Sequence, residues 1–344
     1  MSTPNKVVVC RDIGAEAMGF LRAQPDLELV VWAEDRACDR AWLDANIGGA
    51  VGVVVTFSDL VTPELLDLAG PKLKAVSTMS VGYEHVNTHE LSTRGIRLGY
   101  TPDVLTDAVA DLTVMLALMA GRNAAQSMQV VSNGEWPTVG WSPFGFCGPQ
   151  LSAAPARSRT AGFIGFGRIS QAVLARLIPF GVTRCLYTAN PASAPHHARD
   201  DALKAAHGLA EVRAVELGVL AAESDMVFVL APGGPGTRHT VDAAFLRKMR
   251  RTAILVNASR GTVVDSEALA TALKEGWIWG AGLDVVEGEP NVGGDHPLVR
   301  EPRCVILPHI GSATLETRNE MAMMAATNVV AGIRGAEMTA ELKF

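Results

Sequence analysis

Thr160-Ala-Gly-Phe-Ile-Gly165-Phe-Gly167-Arg168-Ile169-Ser170-Gln171 reads as an apolar strand that turns sharply into a helix. Its spacing is Gly165-x-Gly167-x-x-Ser170. Gly165 permits the tight bend, Gly167 lets backbone approach a pyrophosphate, and the first N–H groups of the helix face that anion. The third position carries Ser170 instead of glycine, a small residue that still allows close helix packing. Two-glycine turns also occur in folds that bind nothing, so the surroundings decide. Here the turn opens a new run of alternating strands and helices, which points to a dinucleotide cofactor.

Downstream of the turn, short β-branched or apolar runs predict strands over 184–188, 226–230, 253–257, 281–283 and 305–307. Upstream, strands are expected over 6–10, 29–32, 52–56, 74–78 and 96–98. Helices there start near Gly14, Asp39 and Thr62, the last with Pro63 in its first turn. Such alternation predicts parallel sheets covered by helices, so the class is α/β with two doubly wound units. One long helix is expected from Asp103 to Asn133, between Thr101-Pro102-Asp103 and Gly134. A loop rich in Pro, Gly and aromatic residues follows over 136–155. The tail over 313–335 reads as an amphipathic helix with Met321, Met324, Ala325 and Val329 near one face.

The 344 residues suit about two domains. Thirty Lys and Arg against 36 Asp and Glu give a formal charge of −6, with no basic block. That argues against nucleic acid and anionic membranes as partners. The five cysteines have no CxxC pair, so a zinc site is not expected and reduced thiols in a cytoplasmic setting are. The opening residues lack the plan of a signal peptide, and the most apolar stretch, 108–120, carries Asp111 and is too short for a bilayer span.

The strand over 184–188 ends in Thr188, Ala189 and Asn190, with no carboxylate to bind an adenosine ribose 2′-hydroxyl. NADPH is therefore the expected cofactor, with NADH as the alternative. No arginine stands at 188–190 to clamp a 2′-phosphate; Arg199 or the pair His196 and His197 are candidates to reach it.

Three later strand ends carry polar residues in a telling order: Asn257-Ala258-Ser259-Arg260, then Asp284 with Glu287 and Glu289, then His309. Ligands of open α/β sheets bind beyond the carboxyl ends of strands. An arginine fork grips a carboxylate and polarises the adjoining carbonyl. A histidine delivers a proton near neutral pH, and a nearby glutamate favours its charged form and fixes its tautomer. Singly, each residue suits a structural or surface role. Together they suit reduction of a 2-oxo acid.

These motifs resemble the D-2-hydroxyacid dehydrogenase family over nearly the whole chain: Gly165-Phe-Gly167-Arg168-Ile169, Asn-Ala-Ser-Arg260-Gly, Gly-Leu-Asp284-x4-Glu289-Pro and Pro-His309-Ile-Gly-Ser-Ala. Thr78-Met-Ser-Val-Gly-Tyr-Glu-His85 and the terminal Thr-Ala-Glu-Leu-Lys-Phe344 are most similar to its glyoxylate/hydroxypyruvate reductases. The resemblance implies two Rossmann-like domains, one inserted in the other, with an interdomain cleft. A substrate domain would take 1–103 and 315–344, and a dinucleotide domain 104–314. It implies Arg260, Glu289 and His309 as catalytic residues. Substrate would also meet Val81, Gly82, Ser312 and, from a second subunit of a homodimer, Trp141. Cofactor would lie against Thr106, Gly165, Gly167, Arg168, Ile169, Thr188, Asn190, Pro232, Ala258, Asp284 and Gly311. One departure is Ala231-Pro-Gly-Gly-Pro-Gly-Thr237, where the family has a Leu-Thr-Pro type turn. Rival readings are an NAD(P)H-sensing, corepressor-like binding protein on the same fold and a dehydrogenase for another 2-hydroxy acid.

Overall fold

The computed structural model describes residues 4–152, 158–188 and 196–344. The chain divides into two compact units, Met1–Leu105 with Ser312–Phe344, and Thr106–Gly311.

The first unit begins with β1 (Asn5–Val9), α1 (Ala15–Arg22), β2 (Leu27–Val31), α2 (Arg40–Asn46) and β3 (Gly52–Val55). It continues through α3 (Pro63–Ala69), β4 (Ala75–Thr78), α4 (Thr88–Thr93) and β5 (Arg97–Gly99). Val7, Val8 and Val9 are all fully buried, which explains why β1 is an unbroken apolar run rather than an alternating one. Thr62 caps α3 from Leu65 N–H, with Pro63 in the first turn.

The second unit opens with α5 (Thr106–Gly121) and α6 (Ala124–Ser132), then β6 (Arg159–Ile164), α7 (Arg168–Leu177) and β7 (Val182–Thr188). Next come α8 (His197–His207), β8 (Glu211–Ala214), α9 (Leu217–Glu223), β9 (Met226–Val229) and α10 (Ala243–Lys248). β10 (Ile254–Asn257), α11 (Ser266–Glu275), β11 (Gly280–Leu283) and β12 (Cys304–Ile306) complete it. The chain then returns to the first unit as α12 (Leu315–Arg334) and β13 (Glu341–Leu342).

Among the described residues the first sheet has the order β13-β5-β4-β3-β1-β2 and the second β12-β11-β10-β9-β6-β7-β8. Every pairing is parallel except that of β13 with β5. That short edge strand is secured by Arg97, whose guanidinium donates to both carboxylate oxygens of Glu341 at 2.8 and 2.7 Å. α12 starts at a Thr314 cap and buries Ala322, Ala325, Ala326 and Val329 against Val7, Val9 and Ala75 of the first sheet. Burying a Val-sized side chain is worth roughly 1.5–3 kcal/mol, so this helix is a main contributor to that core.

The single helix expected over 103–133 is two helices bent by 73°. Asn123 takes a left-handed backbone, φ 50 and ψ 40, at the break, and its side chain donates to Cys147 O at 3.2 Å. Asn tolerates that conformation where most residues do not. No single helix among the described residues is long and apolar enough to cross a membrane.

Candidate active site

Because the second sheet is all parallel, the turns after β6, β7, β9, β10, β11 and β12 leave from one edge. The order reverses between β6 and β9, and ligands bind at such switch points. The glycine turn sits there. Gly165 has φ +83, and a Cβ on it would lie 2.8 Å from Ala231 N, just beyond β9. Both facts demand glycine at this position. Nothing lies within 4 Å of where a Cβ of Gly167 would stand, and no side chain caps α7. The amino end of α7, which opens at Arg168 and Ile169, carries the positive end of the helix dipole and fits a dinucleotide pyrophosphate. Ser170 is buried and donates its hydroxyl to Gly165 O at 2.7 Å, so the serine closes the turn rather than distorting it.

Beside the turn, the Phe166 and Tyr187 rings stack with centroids 4.6 Å apart. Arg199 covers both rings, at 4.9 and 4.8 Å, and donates to Phe166 O at 3.3 Å. It also donates to Asp200, which accepts the Tyr187 hydroxyl at 2.7 Å. Thr188 ends β7; Asn190 lies outside the described residues.

At the end of β10, the amide and hydroxyl of Ser259 both donate to Asn257 Oδ1 at 3.0 Å, and Asn257 Nδ2 donates to Arg260 O at 2.9 Å. The Arg260 guanidinium donates to Ser259 O at 2.8 Å. This local cage includes Ala258 and fixes the base of the arginine. At the end of β12, His309 Nδ1 meets Glu289 Oε1 at 2.9 Å. With Nδ1 committed to the carboxylate, Nε2 is the ring atom that can exchange a proton with a ligand.

Asp284 is the joint between β11 and the histidine turn. It is buried, and its two carboxylate oxygens accept the amides of Ile310 and Gly311, each at 2.8 Å. Burial pushes its pKa up, against the pull of those two amides. His309 N–H also donates to Asp284 O at 2.9 Å. These bonds hold His309 at φ 55, a strained setting for a non-glycine residue.

Gly233 is a residue the sequence reading missed. A Cβ there would lie 2.8 Å from Arg260 Cγ, in the stem of the side chain rather than at its mobile tip. Only the glycine-rich departure at 231–237 hinted at it, since the contact joins two strand ends 27 residues apart. Gly233→Ala is expected to displace the guanidinium and raise KM for an oxo acid about tenfold or more, with cofactor affinity little changed. Gly236→Ala, where a Cβ meets nothing within 4 Å, serves as the control in the same steady-state assay.

Of the other candidates, Thr106 begins α5 and Pro232 follows β9 in this same unit. Val81, Gly82 and Ser312 belong to the first unit, where Val81 and Gly82 follow β4. Trp141 lies in the segment after α6 and is 90% exposed. Among the described residues no cluster of His, Cys, Asp and Glu could hold a metal ion.

Residues 114–311 match the model for the D-isomer specific 2-hydroxyacid dehydrogenase NAD binding domain. The chain is 44% identical over 338 residues to the glyoxylate reductase/hydroxypyruvate reductase of Mus musculus, covering 98% of each chain. The human protein of that description is 43% identical over the same coverage. Among solved structures, the NADPH-dependent glyoxylate/hydroxypyruvate reductase of Sinorhizobium meliloti, in complex with NADP and malonate, is similar at TM-score 0.80 and 32% identity. The match covers 99% of this chain and 97% of that one. A matching nucleotide turn, fold and full-length kinship lead to one conclusion: the chain belongs to the D-isomer specific 2-hydroxyacid dehydrogenase family.

Proposed function

We propose that this protein reduces glyoxylate and hydroxypyruvate to the corresponding 2-hydroxy acids, with NADPH as the preferred reductant. The observation that carries this reading is the His309–Glu289 pair, standing at the same sheet edge as Arg260 and the glycine turn. When bound, the nicotinamide supplies a hydride to the substrate carbonyl carbon. Arg260 holds the substrate carboxylate and draws charge towards the carbonyl oxygen. His309 gives its Nε2 proton to that oxygen, while Glu289 fixes the ring by its Nδ1 side. The first unit contributes the backbone amides of Val81 and Gly82 to the carboxylate, and Ser312 beside them. In this reading the first unit serves substrate, and the second carries the cofactor together with Arg260, Glu289 and His309.

Pyrophosphate rests on Gly165, Gly167, Arg168 and Ile169, with Ala258, Asp284 and Gly311 towards the nicotinamide and Thr106, Thr188, Asn190 and Pro232 along the remainder. The preference for NADPH is supported by the neutral end of β7 and by Arg199, which packs against the glycine turn at Phe166. The NADPH-dependent relative adds to it. A homodimer is part of the same reading. Trp136, Trp141 and Phe144 are 69, 90 and 87% exposed on one segment, more aromatic surface than a solitary chain gains by showing water. Free cysteines suit a reducing, cytoplasmic setting.

Initial rates with glyoxylate, hydroxypyruvate, pyruvate and phenylpyruvate, each with NADPH and NADH, test the proposal. The first two acids with NADPH should give the highest kcat/KM. Preference for another acid moves the protein to a different branch of the family. Tight NADPH binding without turnover favours the corepressor-like alternative.

A further inference from the structure

The first sheet has its own reversal of strand order, between β1 and β3. A cavity of about 270 Å³ lies at that place, lined by Arg11, Asp12, Thr56, Phe57, Met79 and Arg318 among others. At roughly 30 Å³ per water it has room for a small organic acid or a hydrated phosphate. Arg11 stands two residues past the end of β1 and Thr56 directly follows β3, so the cavity occupies the crevice where open α/β sheets take ligands.

Arg11 is the unusual group. Its Nε is buried without a hydrogen-bond partner, an expensive state for part of a guanidinium. Of the acids nearby, Asp59 has its pKa pushed up by burial, while the Arg11 charge acts in the opposite direction and favours its carboxylate. Asp59 is buried and spends one carboxylate oxygen on the amide and hydroxyl of Thr56, at 2.7 and 2.8 Å. Asp12 accepts the amide of Gly14 at 2.8 Å. Arg318 brings a second guanidinium to the same walls from α12.

We infer that the first unit carries an anion site of its own at the β1/β3 crevice, in which Arg11 and Arg318 bind a small carboxylate or phosphate. A guanidinium that lines a crevice and has an Nε–H without a hydrogen-bond partner matches the planar or tetrahedral oxygens of such groups. The inference concerns binding by the first unit and does not depend on the catalytic reading of the second.

Calorimetric titration with inorganic phosphate tests it, carried out on full-length protein in an Arg260→Gln background so that the proposed substrate arginine contributes nothing. Arg11→Gln and Arg318→Gln should each weaken phosphate binding by about tenfold or more. Arg11→Lys, which keeps the charge, should retain much of the affinity and checks that the fold survives. Phosphate affinity unchanged by both glutamine variants, or no phosphate binding at all, overturns the site. A glyoxylate arm identifies the natural source: competition with phosphate assigns the site to a substrate carboxylate, and independent binding to a free anion. If the site binds phosphate while the enzyme fails to reduce any 2-oxo acid, the anion site stands and the proposed function falls.

Discussion

His309→Asn should lower kcat for glyoxylate reduction by about 10²–10⁴-fold, the range that a positioned general acid contributes. NADPH affinity, followed by fluorescence titration, should be nearly unchanged, because the glycine turn and α7 are untouched. Asparagine is the informative replacement here. His309 stands at φ 55, and asparagine accepts that backbone while removing the proton donor. Alanine would add backbone strain to the chemical loss and blur the result. Glu289→Gln should have the smaller effect, since it keeps an acceptor within 2.9 Å of Nδ1 but removes the charge that completes the pair. Wild-type turnover in His309→Asn would remove histidine from the mechanism.

Arg260→Ala should reduce kcat/KM for the oxo acid by about 10²–10³-fold, as expected when one member of a desolvated, hydrogen-bonded charge pair is lost. Both KM and kcat should change, because the same fork is proposed to hold the carboxylate and polarise the carbonyl. Arg260→Lys should recover part of the binding and little of the orientation, since an ammonium is a point charge without a planar fork. Gly233→Ala provides a coupled check. Its effect should vanish in an Arg260→Ala background, because the added Cβ would have no arginine stem to displace. Additive effects would show that the glycine acts elsewhere.

Much of this architecture was legible because its signals are local. The glycine turn announces itself in twelve consecutive residues, and the strands of both sheets are apolar runs between turn residues. Other features escaped for identifiable reasons. β8 sits at an edge, with Glu211 and Arg213 on it, so it lacks the apolar run that marks a buried strand. β13 has two residues and exists through Arg97, 244 positions away. The bend at Asn123 interrupts a stretch that is apolar and helical in pattern on both sides, with only Gly121 and Asn123 to mark the break. In the site, residue types at strand ends were readable, whereas the props beneath them were not. Asp284 bonds to amides 26 and 27 residues later, and Gly233 touches Arg260 across two strands.

The return of α12 to the first unit sets the order in which this molecule can be completed. Ala322, Ala325 and Val329 fill space beside Val7 and Val9, which are synthesised more than 300 residues earlier. A chain emerging from the ribosome therefore has the whole second unit in hand before the first can finish its core. Domains usually mature from the amino terminus onward. Here the earliest residues wait, apolar face uncovered, for the latest ones, and a nascent chain halted near Gly311 would hold a finished nucleotide unit tethered to an unfinished, aggregation-prone one.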